Sequence, residues 1–524
     1  MKIAKSTLFA SLPSPWPEDL RPHIRATVAA HPDHKVVVID DDPTGTQTVY
    51  GVPVLTSWDV ERLRAEFSGS EPCFYILTNS RSLAPEEARA LTLGLARNLG
   101  AAAGTRAFTL VSRSDSTLRG HFPLETDALA EVLGPFDATL LIPYFEDGGR
   151  YTIDDTHYIA DGDTLIPAAE TAFAGDAVFG YRSSHLPAYV EEKSAGRIKA
   201  SAVQSIGLAD LRRGGPGAIT ARLLALPRGA VAVINAAALR DLDVFVAGLL
   251  AAETQGRRFC FRTAAQFPAA RLGLEPRPML TARELGCAGR AVARAASGSS
   301  SRDYSLLKPI LPPSEPHRQP SEVAQMEREP DPIALPHAGG LIVVGSHVPM
   351  TTRQLAAMAD DKSLLRIELH VDQLLTAKRR QILEHISAMV AKALSVAQDV
   401  VIFTSRHVVR GDTPAQSLQV CQRISDALVE LVRRLEVRPR FIMAKGGITS
   451  SDVATRGLGV KRAMVLGQLL PGVPVWRLGL ETKFPDLTYI VFPGNVGGPT
   501  ALAEAVQGTY DTLPTSTTSR TRSG

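Results

Sequence analysis

Short, uninterrupted apolar runs recur along the chain, separated by longer stretches in which apolar residues return at helical spacing. Residues 36–39, 74–77, 108–111, 139–142 and 230–234 are runs of strand length. Runs without apolar/polar alternation predict strands buried on both faces. Between them, residues 85–99 predict a helix, with Pro85 in its first turn and Glu86 and Glu87 at the positive end of its dipole. Residues 124–133 predict another, and residues 18–30 a short one. A second series follows, with strands predicted at 341–344, 400–403, 441–444 and 489–492 and helices at 381–396 and 415–435. Strands that alternate with helices predict an α/β fold with a mostly parallel sheet.

At 524 residues the chain is long for one hydrophobic core, so two domains are expected. The periodicity breaks between them, in SGSSS, PILPPSEPHRQP and EREPDP. This divides the chain into an N-terminal extension (1–33), an α/β domain (34–290), a linker or excursion (291–336), a second α/β domain (337–510) and a Thr/Ser/Arg-rich tail predicted to be disordered (511–524).

Composition narrows the function classes. Apolar residues make up 44% of the chain, yet no uncharged 18-residue span occurs, so no membrane helix is predicted. Pro13, Pro15 and Pro17 interrupt the N-terminal apolar stretch, which makes it a poor signal-peptide core. Cys73, Cys260, Cys287 and Cys421 are far apart, which argues against a zinc knuckle and fits a reducing cytoplasm. A net charge of +3, with no basic block interleaved with aromatics, argues against nucleic acid as a main partner.

The first candidate chemistry lies where residues 36–39 end in Asp40, Asp41, Asp42, Pro43, Thr44 and Gly45. Ligands of open α/β sheets bind beyond the carboxyl ends of strands. Three adjacent carboxylates repel, and need a cation, a partner or water. A solvated turn, a Mg²⁺ or polyol site and a proton acceptor all fit. The second candidate is SRSDSTLRGHFPLE, residues 112–125, with Arg113, Asp115, Ser116, Thr117, Arg119 and His121. Guanidiniums beside hydroxyls and a carboxylate suit an anionic polyol. His121 alone reads as structural. Arg81, after Thr78-Asn79-Ser80, and Arg150, after Gly148-Gly149, stand at two further strand ends. Asp154, Asp155, Asp161 and Asp163 read as a solvated hairpin, since they lack the EF-hand register.

The second half carries glycine-rich turns after three predicted strands: Gly345-Ser346-His347, Gly446-Gly447-Ile448-Thr449 and Gly494-Asn495-Val496-Gly497. Thr449 and Asp452 fit a capping box for a helix over 450–458. Backbone N–H groups at such turns suit phosphates. There is no GxxxxGK[ST], no protein-kinase signature, no GxSxG and no HExxH. One half suited to a small polar acid and another suited to phosphates point to a phosphotransferase.

In this order, Asp41-Asp42-Pro43-Thr44-Gly45, DSTLRG at 115–120, Gly149-Arg150, Gly345-Ser346, Gly446 to Thr449 and Gly494 to Gly497 resemble the four-carbon acid sugar kinase family. The resemblance runs from about residue 35 to 507 and implies two α/β domains facing an inter-domain cleft. It also implies ATP-dependent phosphorylation of a tetronate or 3-oxo-tetronate, with ATP and Mg²⁺ as cofactors. It makes Asp42, Arg81, Arg113, Asp115, Ser116, Arg119 and Arg150 substrate-side candidates, to which Asp41 and Thr44 of the same turn are added, and in-line transfer then makes Asp42 or Asp115 the catalytic candidate that accepts the hydroxyl proton. Ser346, Gly446, Gly447, Ile448, Thr449 and Gly494 become the nucleotide contacts. No metal ligand is singled out, and a homo-oligomer is compatible with the pattern. Pro43, the His347-Val348-Pro349-Met350 stretch and the long linker depart from the family pattern and suggest a divergent subgroup. Two rivals remain at this stage. Asp40, Asp42 and Thr44 also spell the D-x-D-x-T of a haloacid-dehalogenase-type phosphatase, and a sugar-acid-binding protein without catalysis would need only the first half.

Overall fold

A computed structural model describes residues 2–287, 338–406 and 414–510. The predicted linker (291–336) and tail (511–524) lie outside the described residues.

The strands of the first half, in chain order, are β1 (Ile3–Ala4), β2 (Lys35–Asp40), β3 (Val52–Leu55), β4 (Cys73–Leu77), β5 (Phe108–Arg113), β6 (Ala138–Ile142), β7 (Arg150–Ile153), β8 (Thr156–Asp161), β9 (Thr164–Pro167), β10 (Gln204–Ile206), β11 (Ala230–Ile234) and β12 (Phe259–Thr263). Those of the second half are β13 (Leu341–Val344), β14 (Leu364–Leu369), β15 (Asp399–Thr404), β16 (Phe441–Lys445), β17 (Arg462–Leu470), β18 (Val473–Leu478) and β19 (Thr488–Phe492). Every strand predicted from a continuous apolar run is present. β2 is buried along its whole length, and its β-branched residues are sandwiched between helices, as a two-faced parallel strand requires. The predicted helices appear as Arg21–Ala29, Pro85–Ala103, Leu124–Leu133, Arg379–Ser395 and Pro414–Arg433.

Fifteen strands form one sheet in the order β10-β11-β6-β12-β5-β2-β4-β3-β17-β18-β19-β16-β13-β15-β14. The outer blocks are parallel, and the seam is antiparallel: β17 pairs with β3 on one side and β18 on the other, and β18 pairs with β19. Three sign changes therefore separate β3 from β19, and the two parallel blocks run in opposite senses. The chain is an α/β protein of two domains with a largely parallel, mixed sheet. The 3-10 turn Pro43–Thr48 folds over the seam, where Trp476 Nε1 donates to Thr46 Oγ1 at 3.0 Å.

A smaller sheet, β1-β9-β8-β7, projects from the first domain. Asp154 and Asp155 form the β7–β8 turn, and Asp161 and Asp163 flank the β8–β9 turn. One local expectation is overturned. The helix after β16 starts at Gly447 and ends at Asp452, and a π-helical turn follows over Val453–Gly457. Its N-cap is Gly446, at φ 112°, so Thr449 lies inside the helix, and Asp452 turns to Ser425 and Arg456 instead of closing a capping box. Glycine takes the left-handed start that the tight exit from β16 requires. Among the described residues, no helix is long and apolar enough to cross a membrane.

Candidate functional site

The three carboxylates after β2 are not a solvated turn. Asp40 is 1% exposed, and Arg113 Nη1 donates to its Oδ1 at 2.8 Å. Its Oδ2 has no hydrogen-bond partner among the described residues and is closed off by Gly45, where a Cβ would stand 2.0 Å away. Burial, only partly offset by Arg113 and reinforced by Asp41 and Asp42, pushes the Asp40 carboxyl up to about 7. A nucleophilic aspartate must face its substrate, and Asp40 does not. Asp41 accepts from Arg81 Nη2 at 3.0 Å and from Ser114 Oγ at 2.5 Å, and burial raises its pKa against the pull of Arg81, Arg113 and Arg262.

Asp42 differs from its neighbours. Its side chain is 22% exposed and caps the 3-10 turn, with Oδ1 accepting from the Thr44 amide at 2.9 Å and Thr44 Oγ1 at 2.5 Å. Arg81 Nη2 stands 3.2 Å from Oδ2. Burial opposes ionisation here too, but Arg81, Arg113 and the Thr44 hydrogen bonds outweigh it and hold Asp42 below the usual carboxylate range.

The loop after β5 lies alongside. Asp115 Oδ2 accepts from Arg119 Nε at 2.7 Å and from Thr117 Oγ1, and Oδ1 stands 3.7 Å from Arg81 Nη1. Burial is outweighed by Arg81 and Arg119, so Asp115 stays ionised well below the ordinary range. His121 is buried, with Nε2 on the Ser80 carbonyl at 3.1 Å, a structural role.

The arginines thus fall into two groups. Arg81, Arg113 and Arg119 are ion-paired with the aspartates. Arg150 has no ion pair and no hydrogen bond among the described residues, and burial lowers its pKa. Its guanidinium lies 5.9 Å from the Phe173 ring centroid, and that of Arg119 lies 5.1 Å from the same ring. An unpaired guanidinium out of bulk water favours an anion more than a paired one does.

The three glycine turns converge on Ser346. A Cβ on Gly494 would meet Ser346 Oγ at 3.1 Å, and one on Gly446 would meet Ser346 Cβ at 3.1 Å. Gly345 packs against Thr449, whose Oγ1 would lie 2.2 Å from an added Cβ. Ile448 is exposed beside them. Gln354 Nε2 holds the third turn through the carbonyls of Val496 (3.0 Å) and Gly498 (2.9 Å).

Five side chains at these sites were not singled out as site candidates from the sequence. Arg262, on β12, bridges Glu125 (2.6 Å), Ser112 (2.9 Å) and Ser114 (2.7 Å), and so braces Asp41 from behind. Glu125, Ser114 and Arg262 become a group only when β12 is laid beside β5. Lys445 ends β16 fully buried, with Nζ donating to Pro493 O at 3.0 Å and lying 3.9 Å from the Phe492 ring centroid. Burial lowers it to about 7. Arg406, just past β15, donates from Nη1 to Ser346 O at 2.8 Å and from Nη2 to Thr352 Oγ1 at 2.9 Å, with no carboxylate within ion-pair distance among the described residues. The strand-end rule that picked out the glycine turns would have found it.

The two halves of the site touch. A Cβ on Gly447 would lie 2.7 Å from Asp42 Oδ2. The capped carboxylate of one domain therefore abuts the middle glycine turn of the other.

Two family models match the chain in sequence order. The sugar-binding N-terminal domain covers residues 36–271, and the nucleotide-binding C-terminal domain covers residues 341–502. A D-erythronate kinase of Heliobacterium modesticaldum is 28% identical over 220 residues, 41% of this chain and 47% of that kinase. A D-threonate kinase of Bordetella bronchiseptica is 35% identical over 112 residues, 21% of this chain and 26% of that one. The matched region thus spans about half or less of either relative. Among solved structures, Haemophilus influenzae protein HI1011 of the DUF1537 family shares the fold, with a TM-score of 0.55 and 18% identity over 90% of this chain and 99% of that one.

Proposed function

The chain belongs to the four-carbon acid sugar kinase family, and on that premise we propose that it transfers the γ-phosphoryl group of ATP to a hydroxyl of a four-carbon acid, a tetronate or 3-oxo-tetronate. The observation that carries this reading is the approach of Gly447 to Asp42. It puts a carboxylate of the sugar-binding half against a backbone turn of the nucleotide-binding half, where a hydroxyl and a phosphate would meet.

The residues fit the nucleotide. Its phosphates would lie along turns whose glycines leave no room for a Cβ, with the Arg406 guanidinium at their edge. Mg²⁺, the usual companion of ATP, would add charge neutralisation on the phosphates. Among the described residues, no group of three His, Cys, Asp or Glu side chains is placed to hold a metal by itself.

In this reading Asp42 orients the attacking hydroxyl and accepts its proton. A carboxylate with a depressed pKa suffices, because in a loose phosphoryl-transfer transition state the nucleophile needs positioning more than a strong base. Asp115 is engaged by Thr117, Arg119 and Arg81, and serves to hold the two arginines. Arg81 and Arg113 hold Asp42 ionised and pair with Asp41, while Arg150, which makes no ion pair among the described residues, is the cation for the acid.

An ADP-release assay with ATP and Mg²⁺ across four-carbon acids and their 3-oxo forms tests the reading. Turnover on at least one is expected. A folded protein that releases no ADP with any of them would overturn it.

A further inference from the structure

Three successive carbonyls of the loop after β5 are each held by a side chain from the insertion that contains the small sheet. His157 Nε2 donates to Ser116 O at 2.8 Å, Tyr181 Oη to Thr117 O at 2.8 Å and Tyr189 Oη to Leu118 O at 2.8 Å. His157 lies on β8, Tyr189 on the helix Leu186–Lys193 and Tyr181 in the segment between. All three are buried. Burial lowers the His157 pKa to about 4, so its ring is neutral at pH 7. A carbonyl only accepts, so Nε2 carries the hydrogen, and Nδ1 accepts from Thr152 Oγ1 at 3.0 Å.

The clamp dictates where the amides point. In a planar trans peptide the N–H is directed opposite to the C=O of the preceding residue. Pulling the carbonyls of Ser116, Thr117 and Leu118 into the insertion turns the N–H groups of Thr117, Leu118 and Arg119 the other way. The Leu118 amide closes a turn on Asp115 O at 3.2 Å, whereas those of Thr117 and Arg119 meet no acceptor among the described residues. Leu118 sits at φ 67°, a left-handed value that a leucine, not branched at Cβ, tolerates at a cost. A left-handed residue within a turn is the conformation in which successive amides form an anion-binding nest. Arg150 and Arg119 share the Phe173 ring next to this loop; Arg119 pairs with Asp115 at 2.7 Å, whereas Arg150 makes no ion pair among the described residues and meets the Asp115 charge only at longer range.

We propose that His157, Tyr181 and Tyr189 are positioning residues: by holding three successive carbonyls they set the Thr117 and Arg119 amides, with the Arg150 guanidinium, as the seat of the substrate carboxylate in the proposed function. The inference deepens the kinase reading and rests on it for the identity of the ligand. One unpaired guanidinium balances one carboxylate. The phosphates have their own turns in the other domain, and Arg81 and Arg113 are already neutralised by aspartates.

The test compares a turned-over four-carbon acid with the polyol obtained by reducing its carboxyl group. In Arg150→Met, KM for the acid should rise about 10- to 100-fold, as loss of a charged hydrogen bond implies, with KM for the polyol and for ATP unchanged. Tyr181→Phe and Tyr189→Phe keep the rings and should each raise KM for the acid about tenfold with kcat largely retained. Unchanged acid preference in Arg150→Met would overturn the seat. Equal losses on acid and polyol in both tyrosine variants would overturn the positioning role. Calorimetric titration of the acid into wild type and Arg150→Met, without ATP, reads the seat independently of turnover. Tighter binding to wild type supports it even if no acid is phosphorylated, in which case the kinase reading alone fails, while equal affinities overturn it.

Discussion

Gly447 and Asp42 belong to different domains, yet a Cβ on the first would stand 2.7 Å from Oδ2 of the second. A real Cβ does not approach a carboxylate oxygen so closely, so any larger residue at 447 must push Asp42 or the turn aside. Gly447→Ala should lower kcat by about 100-fold, the scale of a displacement near 1 Å in a reacting geometry, with the fold retained. Steady-state ADP release alongside circular dichroism reads both. Wild-type kcat in the alanine variant would break the link between this contact and transfer.

Asp42 and Asp115 should separate in kinetics. Asp42→Asn should lose about 100- to 1,000-fold in kcat with little change in KM for the acid, as removal of a proton acceptor implies. Asp115→Asn removes the closest partner of Arg119 and the most distant partner of Arg81, and should act mainly on KM for the acid. Near-wild-type turnover in both variants would remove both from the mechanism.

Arg406 should report on the nucleotide alone. Three of its N–H groups are spent on Ser346 O and Thr352 Oγ1, and two of the five that a guanidinium carries remain. Arg406→Gln should raise KM for ATP about 10- to 100-fold and leave KM for the acid unchanged. An effect on the acid instead would move Arg406 out of the phosphate site.

Lys445 should make stability depend on pH. Its folded pKa is about 7, below the ordinary 10.5, because burial penalises the ammonium. Between these values the unfolded chain binds more protons, so the unfolding free energy rises with pH from 7 towards 10.5, by at most about 1.4 kcal/mol per pH unit. Below pH 7 the lysine is charged in both states and adds no slope. Lys445→Met should flatten the rise. Urea melts at pH 7, 8 and 9 measure it, and parallel curves for the two proteins would contradict the depressed pKa.

Much of the fold was legible because buried parallel strands are written as continuous apolar runs. β11 and β13 were predicted to the residue, and β2 to within one residue at each end. The seam was not legible. β17 is alternately buried and half-exposed, carries Gly467 at φ 142° and pairs on both sides, while β18 contains Pro474 and its run is short. Neither announces that it joins two sheets. The capping box at Thr449 and Asp452 failed for a related reason. The spacing is right, but the helix begins earlier, at Gly446 and Gly447, which Ser346 and Asp42 respectively approach too closely for a side chain.

The residues themselves determine two α/β halves, an acidic strand end at Asp40 to Asp42, an arginine-rich loop at 112–125 and glycine-rich turns at three strand ends of the second half, since each is a local pattern of polarity and backbone freedom. Pairing was decided only by the tertiary structure. It took β2, β4, β5 and β12 laid side by side to neutralise Arg81, Arg113 and Arg262 against carboxylates and to leave Arg150 without an ion pair among the described residues. It took the antiparallel seam to bring Gly447 to Asp42. Charge compensation acts over a few ångströms in space, between residues up to hundreds apart in sequence, and no local pattern encodes it.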